Sequence, residues 1–205
     1  IAGGGGAFLH PTHQPHTPQV QDGFTEQRCY PEKSASARLA WKNLLFPFIN
    51  PLACLLPGLV YALSAWLASS RLNLADVDTL GDAFSSSLRV AVRDPLCGLW
   101  LLFVIAGLVF FTDTHSRAYR VLGGASHALA HLFAALVLAW IAMRFTTDTL
   151  GMTYGDPLQL LLSGALVFAT GGLVGGVVIG IYLLVSINVF GRHGNEAFSS
   201  LRGQD

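Results

Sequence analysis

Two histidines, His127 and His131, lie four residues apart inside the charge-free run VLGGASHALAHLFAALVLAWIAM at 121–143. On a helix that spacing puts both imidazoles on one face, where such a pair can hold one metal ion. Ionisable side chains within an apolar helix are functional candidates by default. A metal site needs a third or fourth ligand, and a haem needs its matching ligand on another helix. No other charge-free run contains a histidine. The competing reading is a pair of neutral imidazoles hydrogen-bonded to neighbouring helices, with Ser126, Ser186 or Asn188 as partners.

Two glycine patterns are the other candidates. The string GGGGAFLHPTH begins at Gly3 and continues through Gly4, Gly5 and Gly6 to His10 and His13. Consecutive glycines permit positive φ and close backbone approach, and such loops can cradle an anion through their N–H groups. The histidines would add metal or phosphate contacts, but no G-K-[ST] follows, so this is not a nucleotide-binding P-loop. A plain structural turn is the alternative. Near the C-terminus, Gly172, Gly176 and Gly180 form a doubled G-x-x-x-G, with Gly171 and Gly175 alongside. A side-chain-free stripe lets another helix approach closely. That partner is either a second copy of the chain, making the last helix a homodimer seam, or a helix of the same bundle, with Gly123 and Gly124 as the facing surface.

The elements that must carry these residues follow from the distribution of charge. Of 205 residues only 12% are charged, against about 25% in ordinary soluble domains. Mean hydropathy is +0.52 and the formal net charge is zero. Residues 43–70, 95–112, 121–143 and 157–191 contain no Asp, Glu, Lys or Arg. Runs of that length match the roughly 20 apolar residues that cross a bilayer. The balance excludes a disordered chain, a nucleic-acid binder with a basic face and a disulfide-stapled domain. Cys54 and Cys97 sit in apolar runs and read as small buried fillers, leaving Cys29 outside them.

The expected fold is an all-α membrane protein with about four transmembrane helices, an interfacial amphipathic helix and an irregular N-terminal tail. Residues 1–42 are a Pro-rich linker, 43–191 the helical bundle and 192–205 a tail. The first span runs from about Pro51 to Ser69, with Pro57 expected to kink it. Val77, Leu80, Phe84, Leu88 and Ala91 recur at helical spacing, so 76–94 reads as the interfacial helix or as a loop helix packed on the bundle. The run at 157–191 is overlong for one perpendicular crossing and reads as one bent helix or two segments. Lys and Arg near the span ends favour both termini on the cytoplasmic side.

GGGGAFLHPTH, the Pro-rich linker, NLLFPFINP and the late YLLVSINVFGRHGNEAFSSLR together resemble membrane-attached calcineurin-like metallophosphoesterases. The resemblance implies that Gly3–Gly6 and His10 lie near the far edge of a catalytic domain whose remainder is upstream, with a multi-span membrane region following. It implies a two-metal phosphoesterase in the parent, built on D-x-H, G-D-x-x-D, G-N-H-[DE] and G-H-x-H motifs. None of these motifs occurs here, so no metal ligand transfers to His10 or His13. The fragment alone is expected to be inactive, with no cofactor of its own, and divalent metals belong to the parent. Its expected partners are the lipid bilayer and the upstream domain, in a bacterial inner membrane, with no nucleic acid. The alternatives are an independent small polytopic protein, such as a transporter subunit or assembly factor, and a membrane metal or haem protein using His127 and His131.

Overall fold

The computed structural model describes Arg38 and residues 40–72, 77–112 and 117–202, with Tyr119 and residues 186–202 described as helical backbone only. Gly3–Gly6, His10, His13 and Cys29 lie outside the described residues. So does the linker up to residue 37. Among the described residues the chain is all helical, without strands. Five long helices form the bundle: α1 (Leu55–Ser69), α2 (Leu80–Arg93), α3 (Pro95–Phe111), α4 (Arg117–Arg144) and α5 (Pro157–Arg202). Short helical turns at Trp41–Leu45, Phe46–Ile49 and Pro51–Cys54 lead into α1. Three stretches are each long and apolar enough to cross a membrane: Pro51–Ser69, Arg120–Thr149 and Pro157–Val185. α2 and α3 qualify only as a joined pair, and they meet at a bend of 101°, so the count is three or up to four.

Local chemistry explains the boundaries. Thr79 and Asp82 form a capping box at the start of α2. The Thr79 hydroxyl accepts from the Asp82 N–H at 3.1 Å, and the Thr79 N–H donates to the Asp82 carboxylate at 3.0 Å. Asp94 ends α2 in extended backbone and caps α3, accepting from the N–H groups of Leu96 and Cys97 at 3.0 Å each. Pro95 then occupies the first position of α3, where its missing N–H costs nothing. Pro57 does not kink a helix interior. Residues Pro51–Cys54 wind as a 3₁₀ turn and α-helix begins at Leu55, so Pro57 falls in the first turn. Without an N–H to donate backward, proline is accommodated where the winding changes. α5 is one continuous α-helix rather than two segments.

α1 packs most extensively on α5, α4 lies against α5, α3 and α1, and α2 rests on α3 and α4. The α1–α5 contact is made by glycine. A Cβ on Gly58 would meet the Phe168 carbonyl oxygen at 2.6 Å, and one on Gly172 would meet the Cys54 carbonyl oxygen at 3.0 Å. Gly171 lies under the Tyr61 ring, Gly175 under Pro57, Gly176 under Cys54 and Pro47, and Gly180 under Asn43. The G-x-x-x-G stripe therefore faces residues 43–61 of its own chain. Gly124, expected opposite it, instead meets Val109 of α3. The core proper is made of small residues around Tyr61: Ala135, Ala142 and Val167, with Ala65, Ala139 and Leu138 at its edge.

The large apolar side chains are mostly outside. Phe48, Leu52, Phe110 and Phe111 are 72–81% exposed, and Leu99, Leu102 and Phe103 more than 60%. On α2, Ala83 faces the bundle while Phe84, Leu88 and Val92 are exposed. The far end of the bundle is tied by Arg144. It donates to the Asp78 carboxylate at 3.0 Å and to the carbonyl oxygens of Asp78 and Val77 at 2.8 and 3.1 Å.

Two outcomes follow. Gly58→Ala should destabilise the purified protein by about 1–3 kcal/mol, because backbone cannot yield to the new Cβ. Gly107→Ala, where a Cβ meets nothing within 4 Å, should be neutral or mildly stabilising in the same unfolding assay. The second concerns Asp82, whose carboxyl is held below the usual carboxylate range chiefly by the Thr79 hydroxyl and then by the Thr79 N–H. A folded pKa below the unfolded value of about 3.9 means the cap's contribution is complete above that value and is lost as pH falls through the folded one. Amide protection in α2, corrected for intrinsic exchange, should be flat from neutral pH to about pH 5 and fall below about pH 4. Asp82→Asn should abolish the acid-side fall.

Candidate functional site

The polar residues buried in the bundle gather into two groups. One joins four helices around His127 and His131, which are 8% and 5% exposed. Their i, i+4 spacing on α4 does place both rings on one face, with Nε2 of one 2.9 Å from Nε2 of the other. Tyr61 of α1 reaches His131 from the far side, its hydroxyl 2.8 Å from Nδ1. Tyr182 of α5 stacks flat on His127, with ring centroids 4.0 Å apart and planes 1° from parallel. The Tyr182 hydroxyl donates to Thr112 Oγ1 at 3.2 Å, and Thr112 in turn donates to the Leu108 carbonyl at 2.7 Å. The chain of contacts thus runs from α1 through α4 and α5 to the end of α3.

Proton counting fixes its state. Two Nε2 atoms at hydrogen-bond distance share one proton, so one imidazole donates and the other accepts. Tyr61 has no other hydrogen-bond partner among the described residues, and its single O–H proton is satisfied only by donating to His131 Nδ1. His131 then carries its proton on Nε2 and donates to His127, which holds its own on Nδ1. Both rings are neutral in this arrangement, and each shared proton has one donor and one acceptor. The chemistry this supports is interhelix adhesion: the histidines bond to each other and to Tyr61.

The second group lies toward the other end of α4. Thr146 is fully buried and donates within its own helix, while Gln159 donates to Thr146 Oγ1 at 2.9 Å and accepts from the Gly155 N–H at 3.4 Å. Burial holds the Tyr154 phenol above its ordinary range nearby. Between the two groups lies the alanine-rich core, with no polar link among the described residues.

The partners expected for the histidines differ from those found. Ser126 donates to the Gly123 carbonyl instead, and the side chains of Ser186 and Asn188 are outside the described residues. Tyr61, Tyr182 and Thr112 were not singled out from sequence. A signal for the tyrosines existed: of the chain's five, only Tyr61 and Tyr182 lie within charge-free runs. A phenol buried there needs a polar partner. Among the described residues no group of three or more His, Cys, Asp or Glu side chains converges as a metal site, so His127 and His131 lack a third protein ligand of those types. Cys54 and Cys97 are buried free thiols, Cys54 lying against the Pro47 and Asn50 carbonyls. Comparison with family models, curated proteins and solved structures finds no match to this chain.

Tyr61→Phe should cost about 1–3 kcal/mol of stability, because it strands a buried acceptor. His131→Leu should cost a similar amount. The double variant should cost less than the sum of the two by about 0.5–3 kcal/mol in equilibrium unfolding. Strict additivity would mean that the two side chains do not share a hydrogen bond.

Proposed function

We propose that this chain is a polytopic membrane module that anchors a calcineurin-like metallophosphoesterase domain at the bilayer. The observation that carries the membrane part is the inside-out distribution of apolar bulk. Glycine and alanine fill the helix seams, while Phe48, Leu52, Phe103, Phe110 and Phe111 point outward around the bundle. In water so large an apolar surface marks an interaction site or an aggregation hazard. In lipid it is the expected exterior, because helix association there rests on close contact of small residues rather than on burying large ones. The exposed Phe84, Leu88 and Val92 of α2 fit the same reading, with that helix lying along the interface.

The phosphoesterase part rests on the strings GGGGAFLHPTH and NLLFPFINP and on the apolar region following them. The role assigned to this region is positional: it holds a catalytic domain against the membrane. The residues described here do not fit a two-metal centre, having no cluster of three metal-ligating side chains. Any such metals belong to an upstream domain. The bias of Lys and Arg toward the segments on one side supports cytoplasmic termini, and the family resemblance supports a bacterial inner membrane.

The chain should stay with membranes through alkaline carbonate extraction, and reporter fusions at both ends should signal from the same side. Release by carbonate would defeat the membrane assignment. The phosphoesterase assignment is tested separately, by joining the chain to its upstream reading frame. The joined protein should hydrolyse a phosphodiester only with a divalent metal such as Mn²⁺, and chelation should abolish turnover. An upstream frame without D-x-H and G-D-x-x-D motifs would leave an independent small membrane protein as the better reading.

A further inference from the structure

At the end of the bundle where α1 stops and α3 begins, two cavities of opposite character adjoin. The first, about 460 Å³, is walled by Arg71, Arg89 and Arg93 together with Asp82, Ser86 and Asp94. Both of its carboxylates are already engaged. Asp82 closes the α2 capping box, and Asp94 caps α3 while bridging Arg71 at 3.3 Å. Arg89 donates to the Ser86 hydroxyl at 2.9 Å and also attracts the Asp82 carboxylate, and neither Arg89 nor Arg93 forms a close ion pair among the described residues. Two guanidinium groups one helical turn apart thus outweigh the single Asp82 charge that faces Arg89, leaving net positive charge for an anion.

The second cavity, about 440 Å³, is a groove between α1 and α3 lined almost wholly by carbon, including Leu63, Trp66, Leu67, Leu99, Trp100 and Phe103. Across it the Trp100 Nε1–H donates to Ser64 Oγ at 2.9 Å. Among the described residues none lines both cavities; their walls are neighbours along the chain. Leu67 of α1 shortly precedes Arg71, which lies just past the end of that helix, and Leu96, also on the groove wall, donates its N–H to Asp94. The Arg71–Asp94 bridge belongs to the wall of the first cavity, on the side where these neighbours of the second lie.

A site with paired arginines at one end and an apolar trough at the other matches one ligand chemistry: a phosphate monoanion or diester attached to a long hydrocarbon chain. We infer that this junction binds an anionic phospholipid, with its phosphate on Arg89 and Arg93 and one acyl chain along the α1–α3 groove. Charge complementarity selects the anionic lipid over a zwitterionic one, since a choline head would bring its own cation to the arginines. The inference rests on the membrane reading above.

The test uses the full chain reconstituted in vesicles, with Trp41 and Trp140 changed to Phe so that Trp66 and Trp100 report from the groove. Dibrominated phosphatidylglycerol should quench this fluorescence at lower mole fraction than dibrominated phosphatidylcholine. Arg89→Gln and Arg93→Gln should each reduce the preference by about fivefold, as expected for one surface cation near an anionic lipid. Both arginines are exposed, so neither change threatens folding. Inorganic phosphate at matched concentration should not displace the lipid. Equal quenching by the two lipids would overturn the inference and leave the membrane reading standing. Displacement by inorganic phosphate would also overturn it, in favour of a free-anion site. Absence of quenching by either lipid would sink the inference and the membrane assignment together.

Discussion

Contact between the glycine face of α5 and the backbone of residues 43–61 is the constraint on which the rest of the structure depends. Five positions of α5, from Gly171 to Gly180, leave no room for a Cβ against Tyr61, Cys54, Pro57, Pro47 or Asn43. Such an approach is limited by sterics alone and is lost with one added methyl group. It also explains why the segment before α1 can wind irregularly through 3₁₀ turns. Pro47 and Pro51 withhold backbone donors, and a surface without side chains accepts that uneven backbone more readily than knobs would.

Tyr61 converts that seam into a position for the buried polar chain. Its ring rests on Gly171, and the same ring extends its hydroxyl to His131. If α1 stood further from α5, the phenol would withdraw from the imidazole and leave Nδ1 of His131 unpaired in an apolar interior. A lost partner there costs more than the bond itself contributes, because the remaining group has been desolvated. The polar chain and the glycine seam therefore reinforce each other: one penalises separation of α1 from α4, the other fixes α1 on α5. Tyr182 completes the arrangement by stacking on His127 and reaching Thr112, which ties the end of α3 to the same centre.

How far these features could be read in advance depends on how local their causes are. Thr79, Asp82 and Asp94 act within one turn of their own backbone, and the boundaries of α2 and α3 lie close to those read from the charge pattern. The one-face placement of His127 and His131 is likewise a property of a single helix. The partner of the glycine stripe is not. Gly123–Gly124 was the surface expected within the bundle, and that residues 43–61 take its place depends on the order of helices around the bundle, which periodicity does not contain. Pro57 is not interior to its α-helix for a related reason. Whether a proline is interior depends on where α-winding begins, and here Pro51–Cys54 wind as a 3₁₀ turn before it. Tyr61 and Tyr182 carried a usable signal, a phenol in a charge-free run, but matching it to a histidine 70 residues away again needed the bundle order.

On the membrane reading, the unequal lengths of the helices have a consequence for how the bundle sits. α3 has 17 residues, about 25 Å at 1.5 Å per residue, which is short for a hydrocarbon layer of about 30 Å. The apolar part of α5, Pro157–Val185, has 29 residues and exceeds that thickness by a wide margin even with moderate tilt. α2 cannot extend α3, because the bend at Asp94 turns it by 101°. A bundle of such unequal members cannot stand with all axes along the bilayer normal. Tilt of α5 shortens its projection, and the end of α3 at Asp94 must then be met by polar groups drawn toward the layer. That is where Arg71, Arg89 and Arg93 stand. Long cationic side chains are suited to such a boundary, since their stems pass through apolar surroundings while their heads stay among polar groups. The charged junction above α3 is thus the local answer to a span that is too short, and the capping carboxylate of Asp94 is tolerated there because a guanidinium group stands beside it.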